Sequence, residues 1–203
     1  MTRPQGSGQA LAVFLDRDGT LIEEVGYLQR VEQVALYPWS IDAVRLLNRA
    51  GFRVIVATNQ SGVARGYFTE AVVNDVHRHI SALLAEGGAR IDAYYYCPHH
   101  PEGSIEPYKQ QCECRKPGRG LIDRAARELG IDLARSFVVG DRWHDVRLAR
   151  AVGARGVLVR TGYGLTEEAQ ADPDVVADAV ADNLIDATSW ILRSLRATPR
   201  SAI

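Results

Sequence analysis

Residues 11–21 read LAVFLDRDGTL. The first five are apolar without alternation, as in a strand covered on both faces, and the polarity changes abruptly at Asp16. Asp18 follows in a turn that Gly19 permits, because glycine takes backbone angles other residues resist. The same pattern of an apolar run ending in a polar residue recurs in FRVIVAT (52–58), RIDAYYYC (90–97) and SFVVGD (136–141), and RGVLVRTG (155–162) adds a fifth run. These runs predict a parallel sheet, and the segments between them predict the helices that cover it: an α/β chain. In TEAVVNDVHRHISALLAEGG (69–88), Thr69 is placed as a cap, Val72, Val73, Val76, Ile80, Leu83 and Leu84 as one apolar stripe, and Gly87 and Gly88 as the stop. Further helices are expected at about 40–50, 118–129, 144–152 and 183–196.

The chain has 203 residues, 46% of them hydrophobic, enough for one domain, expected over 11–196 with mobile ends at 1–10 and 197–203. Its 24 basic and 25 acidic residues nearly cancel, with no Lys/Arg-rich block of the kind that tracks a nucleic-acid backbone or an anionic membrane. The expected partner is a small molecule. Runs such as LAVFL are too short to span a bilayer and MTRPQGSGQA lacks the apolar stretch of a signal peptide, so a cytoplasmic location is expected.

In an open parallel sheet the carboxyl ends of the strands form the ligand crevice, and Asp16, Thr58, Cys97 and Asp141 each stand where a run ends. Carboxylates from two strand ends suit Mg²⁺, a hard cation that takes one or two of them and leaves room for phosphate and water. In TNQSG (58–62) the Thr58 hydroxyl and the N–H groups near Asn59 can face a phosphate oxygen. In RKPG (115–118) Lys116 supplies a compact charge before Pro117, read as opening a helix. Each motif alone is commonplace: D-x-D-G is often only a loop, and a lone lysine is usually solvated. The three cysteines, Cys97, Cys112 and Cys114, share one loop with His99 and His100, and in a reducing compartment such a group reads as metal ligands before disulfides.

DRDGT, TNQSG, RKP and GDRWHD, in that order, resemble the four motifs of the haloacid dehalogenase superfamily of phosphohydrolases, over about residues 11–165. GYL (26–28), TNQSGVARGYFTE (58–70), YYYCPHHPEG (94–103) and CECRKP (112–117) are similar to its histidinol-phosphatase and heptose-bisphosphatase branch, and SGVARGYFTE favours the heptose side. The resemblance implies a Rossmann-like fold and Mg²⁺-dependent removal of the 7-phosphate from a heptose 1,7-bisphosphate. Asp16 would be the nucleophile that forms an aspartyl-phosphate, and Asp18 the acid and base, its side chain near other carboxylates. Asp16, Asp141 and the Asp18 backbone carbonyl would hold Mg²⁺, with Asp145 behind them or acting through water. Thr58 and Lys116 would bind the phosphoryl oxygens. Glu24, Val25, Gly26, Tyr27, Thr58, Asn59, Gln60, Ser61, Arg115, Lys116 and Arg142 would meet the sugar or its distal phosphate; the branch often has lysine where Arg142 stands.

Cys97, Cys112 and Cys114 with one imidazole make a Cys₃His set for tetrahedral Zn²⁺, and the spacing of the branch favours His99 over His100. Four protein ligands leave no open position, so the zinc is expected to be structural, fixing Arg115 and Lys116. Without a long insertion, no separate cap domain is expected; the chain is also expected to be a monomer. Rival readings are a histidinol-phosphate phosphatase, a polynucleotide 3′-phosphatase sharing D-x-D-G-T and T-N-Q, and a zinc-bearing binding module without catalysis. His77 and His79 fall on different helix faces, Tyr94–Tyr96 read as sheet, and Trp143 and His144 are assigned no substrate contact.

Overall fold

Strand β1 (Ala12–Leu15) is fully buried, as its unbroken apolar run requires, and lies inside a six-stranded parallel sheet. With β2 (Arg53–Asn59), β3 (Ala93–Cys97), β4 (Phe137–Gly140), β5 (Arg155–Val159) and β6 (Ala179–Ala181), the strand order is β3-β2-β1-β4-β5-β6. Phe14 pairs in register with Ile55 on one side and Val138 on the other. The computed structural model describes residues 9–170 and 173–197. Of the ends expected to be mobile, all but Gln9, Ala10 and Ala197 lie outside these residues. Ala10 bridges to Ile131, and its N–H donates to Gly130 O at 2.8 Å.

The two-residue period of the strands sorts the core into two layers. Val13, Leu15, Val54, Val56, Phe137 and Val139 pack with residues of α1 (Ser40–Arg49), α2 (Glu70–Glu86) and α6 (Leu184–Ala197). Ala12, Phe14, Ile55, Ala57 and Val138 pack with residues of α3 (Gly120–Leu129) and α4 (Trp143–Val152). Burying a Leu or Phe side chain contributes about 1.5–3 kcal/mol, and because both faces of β1 are covered, a one-residue slip would keep that burial but exchange the packing partners of every side chain. The expected parallel sheet with helices on either side is the observed architecture, and no separate cap domain interrupts the described residues.

Several local expectations need correction. Thr69 occupies the position before α2, but its side chain makes no capping bond. Pro117 does not open α3, which begins at Gly120, because the preceding turn uses the Gly118 N–H on Arg115 O (2.7 Å) and the Gly120 N–H on Glu113 O (2.7 Å). The run read from residue 90 enters the sheet only at Ala93, and β5 ends at Val159. β6 and the short α5 (Gly164–Ala169) are additions to the expected elements: β6 is three residues between Asp178 and Asp182, without a β-branched run. Among the described residues no helix is long and apolar enough to cross a membrane.

Candidate active site

The tips of β1 and β4 bring Asp16 and Asp141 together beneath a cleft. The Asp16 N–H donates to Val139 O (2.9 Å), which fixes one strand end on the other. Lys116, whose side chain is 1% exposed, places its ammonium 2.9 Å from Asp16 Oδ1 and 2.6 Å from Asp145 Oδ1. Burial alone would raise the Asp16 carboxyl, but Lys116, His144 and the Arg17 N–H together hold it below its ordinary value. Burial would likewise lower Lys116, and the carboxylates of Asp145 and Asp16 reverse that, so the amine stays charged. Asp141 lacks such a partner. Burial, with the nearby charges of Asp16 and Asp145, pushes it up to about 8, against the Tyr163 N–H that donates to its Oδ2 at 2.8 Å. Its Oδ1 is buried without a hydrogen-bond partner.

Small residues make this crowding possible. Gly19 sits at φ +77°, and a Cβ there would lie 2.3 Å from Asp141 Oδ2. A Cβ at Gly140 would lie 2.2 Å from Asp145 Cγ.

Asp18 is held by groups that sequence reasoning did not find. Arg17, 2% exposed, donates from Nε and Nη2 to the Asp18 carboxylate at 2.9–3.2 Å and from Nη2 to Gln60 Oε1 at 2.9 Å. Gln60 Nε2 donates to Asp18 Oδ2 (2.8 Å) and to Thr58 Oγ1 (3.0 Å). The expected carboxylate neighbour is present in Glu24, whose own carboxyl is raised by burial and by Asp18. The dominant contact of Asp18, however, is a guanidinium, because the buried Arg17 needs a counter-charge.

Asn59 fixes Lys116 through the backbone: Nδ2 donates to Lys116 O (3.2 Å) and Oδ1 accepts the Lys116 N–H (2.9 Å). Lys116 is also carried by the cysteine loop. Cys97, His99, Cys112 and Cys114 bring their ligand atoms within 4.8 Å of one another, with His99 facing the sulfurs through Nδ1. The sulfurs are 3.0–3.5 Å apart, too far for disulfides and near the roughly 3.8 Å edge of a tetrahedron with Zn–S of about 2.3 Å. Hydrogen bonds from Cys97, Cys112 and His99 bring Cys114 down to about 5, so a thiolate is available. Three soft donors and an imidazole fit Zn²⁺.

For a hard cation the donors are different. Asp16, His144 and Asp145 also have ligand atoms within 4.8 Å of one another, but the Lys116 ammonium already joins the two carboxylates of that trio. The unpartnered Asp141 Oδ1, in a carboxyl that burial and neighbouring charge disfavour when ionised, is what a divalent cation beside Asp16 would relieve. The oxygen donors fit Mg²⁺.

The cleft has a volume of about 350 Å³, the scale of a small polar ligand. Of the residues given catalytic or substrate roles from the sequence, Asp16, Asp18, Glu24, Gly26, Tyr27, Thr58, Asn59, Gln60, Ser61, Arg115 and Arg142 line it. Val25 is 44% exposed and does not; Lys116, Asp141 and Asp145 lie buried outside the lining. The Arg142 guanidinium stacks 3.7 Å over the Tyr163 ring, a planar contact that a lysine would not reproduce. Arg65, Phe68, His100, His144 and Tyr163 also line the cleft and were missed. His144 sits with Nε2 3.5 Å from Asp145 Oδ2, whereas Trp143 is structural, donating from Nε1 to Glu167 O at 2.6 Å.

A family model described as HAD-hydrolase-like matches residues 113–187. The D-glycero-beta-D-manno-heptose-1,7-bisphosphate 7-phosphatase of Escherichia coli (strain K12) is 44% identical over 173 residues, covering 84% of this chain and 90% of that protein. Among solved structures, the D,D-heptose 1,7-bisphosphate phosphatase of B. bronchiseptica, complexed with magnesium and phosphate, aligns with a TM-score of 0.81 at 33% identity, over 91% of this chain and 99% of that one. The D,D-heptose 1,7-bisphosphate phosphatase of Burkholderia thailandensis aligns with a TM-score of 0.67 at 30% identity, over 90% and 98%. The chain belongs to the haloacid dehalogenase-like hydrolases, in the heptose-bisphosphate phosphatase family.

Proposed function

We propose that this chain hydrolyses the 7-phosphate of D-glycero-D-manno-heptose 1,7-bisphosphate through an aspartyl-phosphate on Asp16. The observation that carries the reading is the Asp16 carboxylate itself: it is kept ionised by Lys116 at 2.9 Å and lines a polar cleft. Asp16 attacks phosphorus and the bond from phosphorus to the C7 oxygen breaks, with Asp18 giving that oxygen its proton. Asp18 then takes a proton from the water that attacks the aspartyl-phosphate, which frees inorganic phosphate and restores the Asp16 carboxylate. Arg17 and Gln60 orient Asp18 throughout. Thr58 and Lys116 donate to the phosphoryl oxygens, where charge builds as the bonds exchange.

Asp16, Asp141 and the Asp18 carbonyl, with Asp145 behind them, would hold Mg²⁺, and the ion would supply charge neutralisation on the phosphoryl group. Cys97, His99, Cys112 and Cys114 would hold Zn²⁺ in a structural role, because the four ligands would leave no position open. Glu24, Gly26, Tyr27, Asn59, Gln60, Ser61, Arg115 and Arg142 contact the sugar or its distal phosphate. The same reading places the protein in the cytoplasm, with neither nucleic-acid nor membrane partners, on the strength of its clustered free cysteines and balanced charge, and takes it to act as a monomer.

The test is a phosphate-release screen with Mg²⁺ on both anomers of the heptose bisphosphate, histidinol phosphate and a 3′-phosphorylated oligonucleotide, run with wild type and Asp16→Asn. The heptose bisphosphate should be the preferred substrate and Asp16→Asn inactive. Preference for another ester, or turnover by Asp16→Asn at the wild-type rate, would overturn the proposal.

A further inference from the structure

We infer that Tyr163 is a positioning residue, whose ring holds the Arg142 guanidinium in the wall of the cleft with its N–H edge free for an oxygen of the substrate. The guanidinium lies 3.7 Å over the ring centre, and both residues line the cleft with Asp18 and Glu24. Among the described residues it forms no hydrogen bond or ion pair, so its charge is not taken up by a carboxylate. Stacking covers one face of the planar group and leaves the N–H groups along its edge unengaged. Arg17 shows the contrast: its donors are occupied by Asp18 and Gln60.

The ring can hold the arginine because its own backbone is fixed on several sides. The Tyr163 N–H donates to Asp141 Oδ2 (2.8 Å) and its carbonyl accepts the Glu167 N–H (2.9 Å). Earlier in the same turn Thr161 Oγ1 donates to Gly19 O (2.6 Å), and Thr161 O accepts the Gly164 N–H (2.8 Å). This turn after β5 is thereby sewn to the loop after β1 and to the tip of β4. The backbone around Arg142 is fixed as well: its carbonyl accepts the Asp145 N–H (3.0 Å), and Glu167 Oε2 accepts the N–H of the next residue, Trp143, at 2.8 Å.

What these backbone bonds leave undetermined is the long arginine side chain, whose rotamers cost free energy to order when a ligand binds. The ring removes part of that freedom in advance. A lysine at position 142 would have no planar group to lay on the ring, so the arginine and the tyrosine act as a pair. The two parts of Tyr163 also serve different neighbours: its N–H holds Asp141 and its ring holds Arg142. Replacing the ring therefore leaves the hold on Asp141 in place.

The inference deepens the proposed function and rests on it for the substrate. To test it, kcat and KM are measured with Mg²⁺ for wild type, Tyr163→Phe, Tyr163→Leu, Arg142→Met and the double variant Tyr163→Leu/Arg142→Met, on heptose 1,7-bisphosphate and on histidinol phosphate. Tyr163→Leu should raise KM about 3- to 30-fold while kcat moves far less, and Tyr163→Phe, which keeps a ring, should recover most of that loss. The double variant should be no worse than Arg142→Met alone, because the ring acts through the arginine. The Mg²⁺ concentration for half-maximal activity should not change in Tyr163→Leu, whose N–H still holds Asp141. An unchanged KM in Tyr163→Leu, losses that add in the double variant, a Tyr163→Phe as impaired as Tyr163→Leu, or a raised Mg²⁺ requirement would each overturn the inference.

The arginine also gives a readout without substrate. In NMR spectra its Nε–H and Hδ resonances should carry a ring-current shift in wild type and Tyr163→Phe that is lost in Tyr163→Leu, and a wild type without that shift would equally overturn the inference. If heptose 1,7-bisphosphate is not hydrolysed while the ring-current shift is present and the cycle couples on histidinol phosphate, the pair stands and the heptose reading falls. If the heptose compound is hydrolysed with additive losses in the double variant, the reading stands and the pair falls.

Discussion

The Lys116 ammonium lies 2.6 Å from Asp145 and also 2.9 Å from Asp16, with both lysine and Asp145 side chains 1% exposed. One cation thus offsets a carboxylate at the tip of β1 and another in the first turn of α4, and Asp145 keeps it in place while Asp16 reacts. Lys116→Met should leave those carboxylates buried and uncompensated, at a cost of roughly 3–5 kcal/mol in metal-free buffer. Added Mg²⁺ should recover part of that stability but not the turnover, which falls at least about 100-fold through loss of a donor to the phosphoryl group. Urea unfolding with and without MgCl₂, beside initial rates, checks both parts. A metal-free variant as stable as wild type would contradict the role given to this ion pair.

Cys112 stands four residues before Lys116 in the chain, and its sulfur is 3.2–3.5 Å from those of Cys114 and Cys97. Cys112→Ser removes one of four ligands, and the zinc content of the purified protein should fall below one ion per chain. Because Lys116 and Arg115 follow Cys114 directly, kcat should drop and KM should rise together. Elemental analysis with steady-state kinetics reads the outcome; full zinc content with unchanged kinetics would exclude the cluster as the support of this loop.

Much of this centre is legible along the chain because burial and chemistry change at the same residue. Asp16 and Asp141 end apolar runs, so their position at the strand tips follows from β1 and β4 alone. What stays hidden is what packing alone decides. Arg17 follows Asp16 and has the composition of a surface residue, yet it is 2% exposed and forked onto Asp18 and Gln60, the latter 43 positions away. Arg65 and His100 are 35 positions apart and meet only because the turn after β2 is laced to the loop after β3. No periodicity announces such a meeting.

Gly19 has a φ of +77° and packs against the Asp141 carboxylate, where a Cβ would lie 2.3 Å from Oδ2. Gly19→Ala meets two costs, about 1–2 kcal/mol for the left-handed backbone and the displacement of Asp141. The Mg²⁺ concentration for half-maximal activity should rise at least about tenfold, since a ligand of the ion has moved. A Mg²⁺ titration of turnover, set beside a urea midpoint, separates the site effect from the fold effect. A lowered urea midpoint with an unchanged Mg²⁺ requirement would place the damage in the backbone alone.

His77, 5% exposed, stacks on Tyr94 with ring centres 4.4 Å apart and meets the edge of Tyr96 at 5.8 Å. Burial, and then the Arg17 guanidinium, bring its pKa down to about 3, and its Nε2 has no hydrogen-bond partner. The unfolded chain binds this proton near pH 6.5 and the folded one near pH 3, so stability is full above 6.5 and is lost as pH falls through that window. At pH 5 the loss from this group is about 2 kcal/mol relative to pH 8, because the unfolded histidine is then largely protonated while the folded one is not. His77→Phe keeps an aromatic ring against Tyr94 and cannot take the proton. Urea unfolding free energies at pH 8 and pH 5 give the comparison: the carboxylates titrate alike in both proteins, so the variant should gain about 2 kcal/mol on wild type between the two conditions. Parallel pH profiles for the two proteins would mean that His77 is protonated as readily folded as unfolded, and that the layer between α2 and β3 admits water.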